Sequence, residues 1–227
     1  MDQLRAVDAL STGWVAGILL LAVGVLAWVN MVSHRQWVVL LRSFGAMRLG
    51  RHRMREELDM RDRTLTGLAV MSTMIIALFG YQVLVFRGWI GPGVQGFLWS
   101  FLVVGGGFLA QMGLLAAVRL LPARDGGLTE YLYTMIVFHV VLGLLLLPVA
   151  TVMAFPARVA WREGAWLLGV AVVAATLLFR WVRALATGLG NGTPLRYIFL
   201  YLCALELLPA ALALEQVRGL VPLMAHH

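Results

Sequence analysis

Six apolar runs of about 18 to 24 residues recur along this 227-residue chain, and they constrain its fold more than any other feature. They cover about 13–32, 65–86, 97–118, 131–154, 164–181 and 195–214. Roughly 20 apolar residues in a helix cross a hydrocarbon core about 30 Å thick. Inside that core no water meets the backbone N–H and C=O groups, so a single apolar segment must satisfy them within itself, as a helix. The expected fold is therefore all-α: one polytopic membrane domain over 1–227, with about six transmembrane helices. The composition agrees, with 61% hydrophobic and 13% charged residues, where a soluble domain carries about 25% charged. The first run is too long for the h-region of a signal peptide and lacks a basic n-region, so it reads as a permanent span.

Between the first two runs lies the main polar stretch, 33–64, which holds eight arginines. Its first half, WVVLLRSFGAMRL, sets Trp37, Leu40, Leu41, Phe44 and Met47 at helical spacing. That pattern fits an amphipathic helix lying in the interface, with its arginines towards anionic lipid headgroups. The second half is a basic, charged continuation into the next span. All 18 basic residues are arginine. With 33–64 placed in the cytoplasm, thirteen arginines fall on that face and five on the other. The asymmetry puts both termini away from the cytoplasm. A pI near 10.7 in a chain this apolar points to lipid headgroups, and nucleic acid is not an expected partner.

Ionisable groups at membrane depth are costly and are the first places to look for function. Glu206 lies about 16 Å along its helix from the start at Leu195, near the middle of the hydrocarbon core. His139 and Gln111 come out at about 12 Å from the same face. These three form a candidate intramembrane polar site, with Tyr197, Tyr201 and Cys203 on the helix of Glu206. Glu206 is expected to face the bundle interior, with His139, Gln111 or a tyrosine as its partner. Three roles stay open for it: a polar lock between helices, proton, ion or lipid handling, and acid–base catalysis. Pro209, three residues on, would bend the helix and free a carbonyl near Leu205.

Cofactor chemistry has little to build on. One cysteine excludes an intrachain disulfide and any Cys-based zinc or iron–sulfur site. His139 is a single ligand, too few for a metal or haem. Neither a metal nor another cofactor is expected. The triplet Gly105-Gly106-Gly107 lacks the Lys and Ser or Thr of a phosphate loop and reads as a close-packing feature. No nucleophile, histidine and acid can be brought together from the sequence, which favours a non-enzymatic role.

Three stretches carry a resemblance: DALSTGWVAGILLLAVGVLAWV, the connector RSFGAMRLGRHRMREE, and the terminal Tyr197-x3-Tyr201-Leu202-Cys203-x2-Glu206-x2-Pro209. Together the chain resembles an uncharacterised bacterial integral-membrane family, a domain of unknown function, marked by a C-terminal YLCxLExLP element. The resemblance covers nearly the whole chain. It implies an inner-membrane protein of a didermic bacterium with periplasmic termini, and it assigns no activity to these residues. The expected function is a non-enzymatic inner-membrane component that assists envelope biogenesis or protein secretion. Such a protein works by binding lipid, partner helices or a second copy of itself. The alternative is a small proton- or ion-coupled transporter or channel using Glu206.

Overall fold

The computed structural model describes residues 10–32, 63–119, 128–156 and 159–190. They form five α-helices: α1 (Gly13–Val32), α2 (Arg63–Phe86), α3 (Val94–Arg119), α4 (Leu128–Ala154) and α5 (Val159–Gly190). Each contains a stretch long and apolar enough to cross a membrane. The secondary structure of the described residues is thus all helical, and the chain is a multi-pass membrane protein. The sixth apolar run, and the connector up to residue 62 with its proposed amphipathic helix, lie outside the described residues.

The helix ends follow local chemistry. At the start of α1 the Thr12 carbonyl accepts from Val15 and Ala16 N–H, at 3.0 and 3.3 Å. The Thr12 hydroxyl oxygen is buried and has no hydrogen-bond partner among the described residues, so it is the carbonyl that serves this helix start. At the end of α2, Gly88 adopts φ +69°. Its N–H donates to the Val85 carbonyl at 3.0 Å, and Trp89 N–H donates to the Leu84 carbonyl at 2.9 Å. This paired 5→2 and 6→1 closure is the Schellman motif, which needs a left-handed residue that glycine supplies without penalty. Pro148 sits inside α4 and leaves one carbonyl without its usual helical donor. Helix α5 runs past Trp181, where the apolar run ends, and continues through Ala-Leu-Ala to Gly190.

Cross-helix contacts fix the topology. Ser72 meets Val140 and Gln82 meets Ala150, so α2 and α4 advance together and are parallel. Trp14 meets Tyr81, and Gly67 meets Trp28, so α1 runs antiparallel to α2. Helix α3 is antiparallel to α2, with Tyr81 near Gly96 and Thr73 near Gly105. Helix α5 is antiparallel to α4, with Phe138 near Phe179 and Val149 near Gly169. The parallel pair forms the centre. Within the apolar stretches, α2 is 56% and α4 50% buried, against 22% for α1, 17% for α5 and 11% for α3.

Two glycines let neighbouring helices approach α2 closely, Gly143 of α4 and Gly169 of α5. A Cβ at Gly143 would overlap the backbone and side chain of Ser72 on α2. A Cβ at Gly169 would overlap the Phe79 ring, which passes from α2 onto α5. In a membrane, where burial of apolar side chains offers no hydrophobic gain over lipid, such close packing supplies much of the association energy.

Candidate functional site

Four polar side chains, Ser72, Thr73, Gln82 and His139, lie on the α2–α4 seam. Ser72 Oγ donates to the Val140 carbonyl at 3.2 Å. One residue on, Thr73 Oγ1 donates to the Ala69 carbonyl of its own helix at 2.9 Å. His139 Nε2 lies 2.8 Å from the same oxygen. A hydroxyl has one hydrogen; with that hydrogen on the Ala69 carbonyl, the histidine is the donor in the second bond. Nε2 therefore carries the proton in this arrangement, and Nδ1 is left as the acceptor. The imidazole is also stacked on Phe108 of α3, with centroids 4.1 Å apart and planes at 22°. Thr73 Cγ2 lies 3.4 Å from where a Cβ of Gly105 would stand. Half-buried His139 thus meets two other helices, with a hydroxyl of α2 on one side and an aromatic face of α3 on the other.

Ten residues along, Gln82 repeats the device. Its Nε2 donates to the Ala150 carbonyl at 3.1 Å, while Oε1 is buried with no hydrogen-bond partner among the described residues. Beside it, Tyr81 is fully buried and its hydroxyl accepts from Gly93 N–H at 2.9 Å. The phenol thereby ties the α2–α3 turn to the bundle. Its ring packs on Trp14 and Phe97, at centroid distances of 5.4 and 6.4 Å. At the opposite end of the bundle Arg183 of α5 is only 7% exposed, and its guanidinium lies 5.8 Å over the Phe138 ring. Cation–π contact of this kind lowers the cost of burying an arginine stem.

Of the residues singled out from sequence, His139 has Thr73 as its hydrogen-bond partner and Phe108 as its stacking partner. Gln111 is half-buried on α3, one turn from Phe108. Glu206, Tyr197, Tyr201, Cys203 and Pro209 lie outside the described residues. Sequence reasoning passed over Ser72, Thr73 and Arg183 and gave Gln82 no role. The signal for the first two was present: a hydroxyl in an apolar helix is a standing candidate for an interhelical bond. Among the described residues no group of three or more His, Cys, Asp or Glu side chains is placed to hold a metal ion.

Chemically, this is a set of helix-to-helix ties. Ser72, His139 and Gln82 each bond across from one helix to the other, at separations of 2.8 to 3.2 Å. The chain belongs to a family defined by a domain of unknown function (DUF4271), whose model matches residues 15–215. The resemblance read from the sequence holds at the level of that family. Searches of curated proteins and of solved structures returned no match.

Proposed function

We propose that this member of the family is a non-enzymatic inner-membrane component, assisting envelope biogenesis or protein secretion by offering its helix faces to lipid and to partner helices. The observation that carries the reading is how the described polar groups are used. Ser72, Thr73, His139 and Gln82 bind α2 to α4, which leaves the outward helices to act through apolar surface. Leu20 and Met31 on α1, Leu102 and Leu109 on α3, and Leu168 and Leu178 on α5 are all exposed. In a bilayer such faces meet acyl chains or the helices of another protein, a second copy included, and packing decides between them.

Arginine asymmetry supports an orientation with both termini in the periplasm and 33–64 in the cytoplasm, against anionic headgroups. A photo-crosslinking residue at Leu102 or Leu168, in native membranes, tests the reading. The expected product is one recurrent membrane-protein or lipid adduct, with no adduct from the buried position Leu78. No adduct from any outward position would overturn it. Glu206→Gln separates this function from a transporter. A scaffold keeps its function when the amide preserves a hydrogen bond, whereas a proton-coupled carrier stays folded and loses flux.

A further inference from the structure

At the Arg87 end of the bundle, the Schellman closure of α2 and the start of α5 enclose an open groove of about 390 Å³. It is lined by Phe86, Arg87, Trp89, Glu163, Trp166 and Leu167. We propose that this groove binds one zwitterionic phospholipid with a primary amine, of the phosphatidylethanolamine type. Arg87 takes the phosphate and Glu163 takes the ammonium.

Depth comes first. Arg87 directly follows the apolar stretch that ends at Phe86, and Glu163 lies in the first turns of the stretch that begins at Ala160. Both charges therefore sit at headgroup level, where indole rings also concentrate. Trp89 and Trp161 are 49% and 56% exposed there. Deeper along α5, Leu167 and Leu168 are exposed, an apolar wall suited to an acyl chain. A polar mouth over an apolar wall is the profile of a lipid, not of a soluble anion.

Charge then selects the headgroup. One guanidinium and one carboxylate line a single groove, which matches a phosphate joined to an ammonium and disfavours a headgroup of one sign. The guanidinium is held in place: Gly88 fixes the turn beside it, and Arg87 lies 5.4 Å over the Trp166 ring. A choline headgroup is the natural competitor, since aromatic faces attract quaternary ammonium. Here the Trp166 face is already taken by Arg87, and a carboxylate gains hydrogen bonds only from an ammonium that carries N–H groups.

The inference deepens the lipid-binding part of the proposed function and rests on it. Partner capture by α1 and α3 uses none of the lining residues, so the two can fail separately. The test is native mass spectrometry of the full chain released from detergent. It is supplied in turn with equal concentrations of palmitoyl-oleoyl phosphatidylethanolamine, phosphatidylcholine and phosphatidylglycerol. Wild type should retain the ethanolamine lipid about fivefold over each of the others. Glu163→Gln should equalise ethanolamine and choline lipids, and Arg87→Gln should lower retention of all three about fivefold. Leu167→Trp, which fills the groove and keeps both charges, should lower retention of the ethanolamine lipid and decides the matter if either charge variant fails to fold. Equal retention of the three lipids by wild type would overturn the proposal. So would an ethanolamine preference that survives Glu163→Gln or Leu167→Trp.

Discussion

Gly143→Ala adds one methyl group at the tightest crossing of the central pair. The new Cβ would overlap the van der Waals spheres of the Cα, Cβ and Oγ of Ser72. A backbone atom is among those overlapped, so no rotamer change relieves it and α2 and α4 must separate locally. Overpacking of this kind costs about 1–3 kcal/mol. Separation also stretches the bond from Ser72 Oγ to the Val140 carbonyl, a membrane interhelical bond worth about 0.6 kcal/mol. Alanine returns about 1 kcal/mol over glycine in helix propensity. The net expectation is a loss of about 0.5–2.5 kcal/mol, towards the upper end because backbone must move. Unfolding of the purified protein by SDS titration in mixed micelles, followed by far-ultraviolet circular dichroism, reads the difference. Gly106→Ala on α3 is the matched control. Its Cβ meets nothing within 4 Å, so it should be neutral or stabilising by up to about 1 kcal/mol. If Gly143→Ala unfolds at the same SDS fraction as Gly106→Ala, the α2–α4 crossing is not where the account puts it.

Three further substitutions use the same assay. Gln82→Leu loses the bond to Ala150 but removes a buried acceptor without a partner among the described residues; these effects oppose, and the net change should stay within about 1 kcal/mol. Gln82→Glu either buries a carboxylate against the Ala150 carbonyl or must take up a proton at neutral pH to donate there, so it should cost at least about 2 kcal/mol; equal stability of the two variants would contradict the assignment of the Gln82 bond. Tyr81→Phe keeps the ring contacts with Trp14 and Phe97 but leaves Gly93 N–H without its phenol acceptor. It should lose about 0.5–1.5 kcal/mol and expose the 87–93 turn to limited proteolysis sooner than wild type.

Helical, membrane-spanning character was legible because a run such as GWVAGILLLAVGVLAWVNMV has only one way to satisfy its backbone in lipid. Which helices pair was not. These helices are apolar around nearly their whole circumference, so periodicity names no buried face. The close approaches of α4 and α5 to α2 depend on single small residues instead. Gly143 and Gly169 each sit alone in sequence. In the conspicuous Gly105 triplet only the first residue lies near another helix, and a Cβ at Gly106 or Gly107 would meet nothing within 4 Å.

The same limit explains the partner of His139. Depth along a helix can be counted from sequence and drew attention to Gln111 and Glu206, but depth carries no information about direction. Thr73 was passed over because a threonine hydroxyl bonded to its own helix looks self-sufficient; its remaining acceptor capacity is what His139 uses. Arg183 lay just beyond the point where hydropathy fades, while the helix itself continued to Gly190 and placed the guanidinium over Phe138.

The central claim is that His139 is a tie between helices. A double-mutant cycle of Thr73→Val and His139→Leu, read as unfolding free energy in mixed micelles, tests it most directly. The account predicts a coupling energy of about 0.6 kcal/mol, and up to about 1.7 kcal/mol if the bond is well desolvated. Additive effects of the two substitutions would contradict it, most decisively if the cost of His139→Leu instead vanished in a Glu206→Gln background.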